Sequence, residues 1–258
     1  MCLPKFEDVH PAHNPTGYIM TNEEPELFKK MLGSRTFRRA ASIASGGEIP
    51  LGILLPRCTE LVAVDHSYTS LAVCFMKAAL LDQLGGRGLL AMLIESRYPD
   101  YQTCCTKLIA DLPEVLRNRL TPTDKYVTGA TALNLNHFNE MRREWRFYTP
   151  VELDKARERL ANTTFVHGDL TDLEKFGKFN GIYLSNALEH TGRDGKRPEW
   201  DKVKLLLTKN GTVLATWGKG TKPILPGETK TKIAGFRSSW DYYLLKPCVI
   251  KKKVITPG

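Results

Sequence analysis

No stretch of the chain holds an apolar run of about 18 residues, so a membrane-spanning helix is not expected. The opening Met1-Cys2-Leu3-Pro4-Lys5-Phe6-Glu7-Asp8 lacks an apolar segment and brings acids early, which argues against a secretory signal. Cysteine is sparse and scattered: Cys2, Cys58, Cys74, Cys104, Cys105 and Cys248 form no C-x-x-C pair. Neither a zinc centre nor a disulfide framework follows from that spacing, so no metal is expected. A reducing, cytoplasmic setting is the matching expectation. Two phosphate-binding signatures are also missing. There is no G-x-G-x-x-G to hold a pyrophosphate and no G-K-[ST] of a P-loop. No basic stripe interleaved with aromatics occurs, so a dedicated nucleic-acid module is not expected.

What is present describes an ordinary globular chain with a basic bias. Its 258 residues suffice for one large domain with a full core, and they are 42% apolar and 25% charged. The formal charge is +9, which favours anionic partners or simply a soluble basic surface. A small-molecule acceptor of anionic or lipid-like character, or a peripheral membrane approach, is compatible with that charge. Oligomeric state is not legible.

Short apolar runs alternate with helical patterns. Residues 1–22 read as an arm without periodicity, and Glu24 to Leu32 as a short helix stopped by Gly33. Arg39 to Ser45 is a buried strand entering the tight turn Gly46-Gly47, and Ile49 to Leu55 opens a helix with Pro50 in its first turn. Leu61-Val62-Ala63-Val64-Asp65 is a second strand. Ser67 then caps a helix whose Leu71, Cys74, Phe75, Ala78 and Leu81 share one face. Residues 85–162, punctuated by Pro99, Pro113, Pro122 and Pro150, predict short helices inserted after that unit. Strands at Thr163 to His167, Gly181 to Asn186 and Gly211 to Trp217 follow, with a helix at Trp200 to Leu207. Phe236 to Leu245 and Cys248 to Ile255 form a closing pair. The expected fold is α/β, a Rossmann-like, doubly wound and mostly parallel sheet. Residues 1–37 form an N-terminal arm and helix, and 38–258 the main domain with its helical insert.

In such a sheet, ligands sit beyond the carboxyl ends of the strands. Four candidate sites fall there. Ser45-Gly46-Gly47-Glu48 lets backbone approach a ligand, and an acid at Glu48 would repel phosphate but suit a cationic or neutral centre. The same glycines also serve a plain strand-to-helix turn. Asp65, with His66 beside it, lies 19 residues after Gly46, placed to accept from ribose hydroxyls. Asp169, next to Leu170, reads equally as an acceptor for an adenine amine and as a helix N-cap. In Leu184-Ser185-Asn186-Ala187-Leu188-Glu189-His190, Asn186 could bond a ligand, and Glu189 and His190 could move protons or form a surface pair.

Ile43-Ala44-Ser45-Gly46-Gly47, Leu54-Leu55 and Val62-Ala63-Val64-Asp65 resemble class I S-adenosylmethionine-dependent transferases. More narrowly they resemble the BtaA-like diacylglycerol 3-amino-3-carboxypropyl transferases, whose later strand end is also similar to Tyr183-Leu184-Ser185-Asn186. The Gly46 to Leu51 wording is faintly similar to nicotianamine synthases, and Leu188-Glu189-His190 to a segment of ordinary methyltransferases. The likeness is specific over residues 38–95 and looser over 163–217. It implies S-adenosylmethionine as cofactor, held by Ser45, Gly46, Gly47, Asp65, Asp169 and Asn186. It also implies transfer of the aminocarboxypropyl group with loss of methylthioadenosine. Methyl transfer, cyclase or lyase chemistry, and a non-enzymatic scaffold are the alternatives.

Overall fold

A computed structural model describes residues 3–9, 24–120, 135–185, 200–218, 229–234 and 240–246. Eight strands among them make one sheet: β1 (Lys5–Asp8), β2 (Phe37–Ile43), β3 (Cys58–Asp65), β4 (Thr163–His167), β5 (Phe179–Tyr183), β6 (Leu207–Gly218), β7 (Thr229–Ala234) and β8 (Trp240–Lys246). Their order is β1-β4-β3-β2-β5-β6-β8-β7. The first six run parallel, while β8 lies antiparallel to both β6 and β7. From β2 the chain steps one way to β3 and β4, then crosses back to β5 and β6. The order therefore reverses between β2 and β5, as in doubly wound α/β folds. The fold is α/β and Rossmann-like.

Parallel strands covered on both faces explain the near-continuous apolar runs. Leu61, Ala63 and Phe165 enter one core, and Val62, Val64 and Val166 the other, because successive side chains alternate across the pleat. The two layers are unequal. Among the described residues the thin layer holds a 3-10 segment (Leu170–Phe176), which contributes Leu173, and a short C-terminal helix (Trp200–Leu206), which contributes Val203 and Leu206. The thick layer holds α1 (Pro25–Leu32), the long α2 (Tyr68–Ile94), and the insert helices α3 (Tyr98–Ile109), α4 (Glu114–Leu120), α5 (Leu135–Trp145) and α6 (Pro150–Glu158). The short C-terminal helix is α7.

Ser67 caps α2 by accepting from the Ser70 amide. Gly85, at φ 65° and ψ 171°, breaks the helix, and Gly86 restarts it with its amide donating to Asp154 Oδ1 at 2.7 Å. A Cβ on Gly86 would lie 2.4 Å from the Pro150 carbonyl, so this glycine permits the close approach of α6. A reciprocal capping box between Thr149 and Glu152 starts α6. Glu152 also accepts from Lys29 at 2.6 Å, fastening the insert to α1.

Four sequence expectations need correction. Lys5–Asp8 is an edge strand on β4 rather than arm. Leu207, expected to close the last helix, already opens β6, which begins there and not at Gly211. The segment after the glycine turn is not regular helix: Pro50–Leu54 is a π-helical turn and Leu55–Arg57 a 3-10 turn, because Pro56 has no amide to continue a helix. The closing strand pair is Thr229–Ala234 with Trp240–Lys246. The expected strand at Cys248 to Ile255 lies outside the described residues. No helix among the described residues is long and apolar enough to cross a membrane.

Candidate functional site

The tips of β2 and β3 are tied together by one carboxylate. Asp65 ends β3, and its Oδ2 accepts the Ser45 amide at 3.0 Å while its Oδ1 accepts the Ser67 amide at 3.0 Å. Asp65 is 7% exposed. Burial pushes its carboxyl above the usual carboxylate range, against the opposing pull of His66, the Ser67 and Ser45 amides and His167. The exposed His66 beside it turns its carbonyl inward, to His167.

Ser45 leaves β2 in the left-handed region at φ 47°, and Ser185 leaves β5 at φ 51°. These strands are neighbours with Ser42 opposite Tyr183, so two strained exits flank the point where strand order reverses. Each such conformation costs about 1–3 kcal/mol, and they cluster at functional sites. Gly47, at φ 91°, closes the turn with its amide donating to the Ala44 carbonyl at 2.9 Å. A Cβ there would sit 3.1 Å from Cys74 Sγ on α2. Gly47→Ala is therefore expected to lower thermal stability by about 1–3 kcal/mol and weaken any ligand held by the turn, measured by melting and calorimetry on one sample.

Glu48 points into the fold rather than to solvent. It is fully buried, and its carboxylate accepts Lys77 Nζ of α2. Lys77 also donates to the Gly46 carbonyl at 2.5 Å, and Tyr148 Oη donates to the Glu48 carbonyl at 2.8 Å. The expected repulsion of phosphate by Glu48 is cancelled by the lysine. The acid holds the turn from behind, and the carboxylate that bridges these tips is Asp65. Sequence reasoning missed Lys77, although it is the one cation between Cys74 and Leu81 in the apolar run of α2.

Across β3, the tip of β4 carries groups that sequence reasoning missed. His167 is buried, with Nδ1 2.8 Å from Asp8 Oδ1 and Nε2 3.0 Å from the His66 carbonyl. A carbonyl only accepts, so Nε2 carries a proton. Tyr68 stacks on the imidazole at 3.7 Å between centroids and donates to Asp8 Oδ2 at 2.6 Å. Burial, then the Asp8 hydrogen bond, pushes the Tyr68 phenol up to about 12. No sequence pattern marks this cluster, because it exists only once β1 is paired. Asp169 is exposed and opens the 3-10 segment, its amide donating to Asp172 Oδ2 at 2.8 Å; Leu170 is half-buried. Asp169 thus stands where an N-cap stands, with its carboxylate at the solvent edge. Asn186, Glu189 and His190 lie outside the described residues.

Three of the described cysteines, Cys58, Cys74 and Cys105, are buried and do not suit nucleophilic work. Burial pushes Cys58 and Cys105 up to about 12 and Cys74 well above its ordinary value. No trio of His, Cys, Asp or Glu among the described residues is placed to hold a metal. What the site offers chemically is a carboxylate with spare acceptor capacity beside bare backbone at a reversal point.

Solved proteins resemble the chain over most of its length. The chain is similar to the rRNA methyltransferase AviRa of Streptomyces viridochromogenes, at 12% identity over 90% of this chain and 88% of that one, TM-score 0.45. It is similar to an rRNA methylase of Streptococcus thermophilus, at 8% identity over 88% and 98%, TM-score 0.40. It is also similar to a putative methyltransferase of Pseudomonas syringae, at 12% identity over 86% and 96%, TM-score 0.40. No family model and no curated sequence matches the chain. At such identities and TM-scores, the fold assignment rests on strand order and direction alone.

Proposed function

We propose that this protein is an S-adenosylmethionine-dependent transferase, with the cofactor at the β2 and β3 tips between Ser45-Gly46-Gly47 and Asp65. One observation carries the reading: a single carboxylate at the end of β3 is aligned by amides from both the glycine turn and the next helix cap. Two oxygens offer about four acceptor sites, so two remain after Ser45 and Ser67 are satisfied, enough for the two hydroxyls of a ribose. The residues fit an adenosine ligand in that respect. Asp169 at the next strand tip suits an adenine amine, and Asn186 is a further candidate for the amino-acid end. The absence of a polyphosphate signature points the same way.

When bound, the cofactor supplies a sulfonium whose attached carbons are electrophilic. The protein's own part is then to position one of them in line with an acceptor and to exclude water. Transfer of the 3-amino-3-carboxypropyl group is favoured by the likeness of residues 38–95 to the BtaA-like enzymes, and methyl transfer is the competing outcome. Incubation with S-adenosylmethionine and cell extract, read by mass spectrometry, separates them. Methylthioadenosine is the expected product. S-adenosylhomocysteine in its place overturns the aminocarboxypropyl assignment and keeps the transferase. Cofactor binding by calorimetry with neither product supports a scaffold, and no binding at all removes the reading.

A further inference from the structure

The insert carries a cavity of about 340 Å³ lined by Ile94, Asn139, Arg142, Arg143 and Arg146. Ile94 is the end of α2 and is 64% exposed, an apolar patch at the rim of a cationic hollow. The three guanidiniums are not equivalent. Arg143 is answered by two acids, with Glu140 Oε2 at 2.6 Å and Glu144 Oε1 at 2.9 Å. Arg142 and Arg146 have no carboxylate partner among the described residues; Arg146 only overlies the Phe147 ring at 4.7 Å. Two uncompensated positive charges thus share one concave space. Guanidiniums present planar, paired donors matched to phosphate oxygens.

We propose that this cavity binds the phosphomonoester group of a small acceptor molecule. A phosphomonoester carries about −1.5 to −2 charge at neutral pH, which balances the two unanswered guanidiniums, whereas a phosphodiester brings a single charge. The volume accommodates a phosphate with a sugar-sized attachment. Asn139 offers both a donor and an acceptor to hydroxyls, and Ile94 offers apolar contact to carbon. No aromatic ring among the described residues lines the space, so they offer no base-stacking platform of a single-strand nucleic-acid site. The helix bearing the cavity is fastened to the glycine turn: Trp145 packs edge-on against Tyr148 at 5.7 Å, and Tyr148 donates to the Glu48 carbonyl. That the phosphate belongs to the acceptor rests on the transferase reading; the phosphate site itself does not.

Calorimetry on the full chain with ribose 5-phosphate, ribose and inorganic phosphate tests it. The expected result is phosphate-dependent binding at one site, with ribose silent. The R142Q/R146Q variant, altered only at exposed side chains, should lose about tenfold or more in affinity for ribose 5-phosphate while its affinity for S-adenosylmethionine is unchanged. R142K/R146K should restore only part of the loss, because a lysine keeps the charge without the paired donors. Equal binding by the glutamine variant, equal binding of ribose, or no heat from either phosphate compound at millimolar concentration overturns the proposal. Length-dependent binding of short single-stranded RNA, tighter than the monoester, replaces it with a nucleic-acid surface. If phosphate binds as expected but S-adenosylmethionine does not bind, the transferase reading falls and the phosphate site stands.

Discussion

Lys77→Met is expected to lower the free energy of unfolding by about 3–5 kcal/mol, the usual consequence of leaving a buried charge without its partner. Methionine keeps the unbranched apolar stem in the α2 core, so lost packing contributes little. What disappears is the donor to both the Glu48 carboxylate and the Gly46 carbonyl, in a region where both side chains are fully buried. Glu48 then stays charged at high cost or takes up a proton, and the turn loses its rear anchor. Glu48→Gln combined with Lys77→Met removes the unpaired charge and should recover much of the loss. Urea unfolding of the two single variants and the double gives the coupling directly. A double variant no more stable than the sum of two independent losses would mean the pair does not hold this turn.

That pair also marks where the sequence stopped being readable. Strands β2 to β6 announce themselves because a parallel sheet buried on both faces needs short, unbroken apolar runs, and Leu61 to Asp65 is such a run. The Gly46-Gly47 turn and the Ser67 cap are local and equally legible. β1 is not: Lys-Phe-Glu-Asp holds the sheet by backbone pairing along an edge, with Phe6 alone half-buried, so no apolar pattern reports it. β7, Thr-Lys-Thr-Lys-Ile-Ala, is similarly carried by its ladder to β8. Asp65 stands out as a candidate from its place after an apolar strand. Glu48, a lone acid beside a glycine turn, looks like a ligand group, but its carboxylate is held inside the fold by Lys77. Its neutralising partner sits 29 residues away, on the far side of a strand and a helix start. Charge at one position says little until its neighbours in space are known. The Asp8–His167–Tyr68 cluster fails for the same reason, since 159 residues separate its acid from its imidazole.

Asp65→Asn is expected to weaken S-adenosylmethionine binding by about 1–3 kcal/mol, through loss of charge-assisted acceptance from two ribose hydroxyls. The amide must also point its NH₂ at one of the two backbone donors, Ser45 or Ser67, so the glycine turn loosens and some stability is lost with it. The pH dependence separates the two effects. Burial raises the Asp65 carboxyl above its unfolded value, so between those values the folded protein holds more protons than the unfolded chain. The contribution of this group to stability is therefore greatest below the unfolded carboxylate value, falls as pH rises to the folded one, and is flat beyond. Cofactor affinity should run the other way, rising as Asp65 ionises and becomes a full acceptor. In wild type, calorimetric affinity is thus expected to drop on acidification through a point above the usual carboxylate range. In Asp65→Asn it should be weaker throughout and without that step. A variant that binds the cofactor as tightly as wild type, or keeps the same acid step, places the ribose elsewhere and leaves Asp65 as a brace between two strand tips.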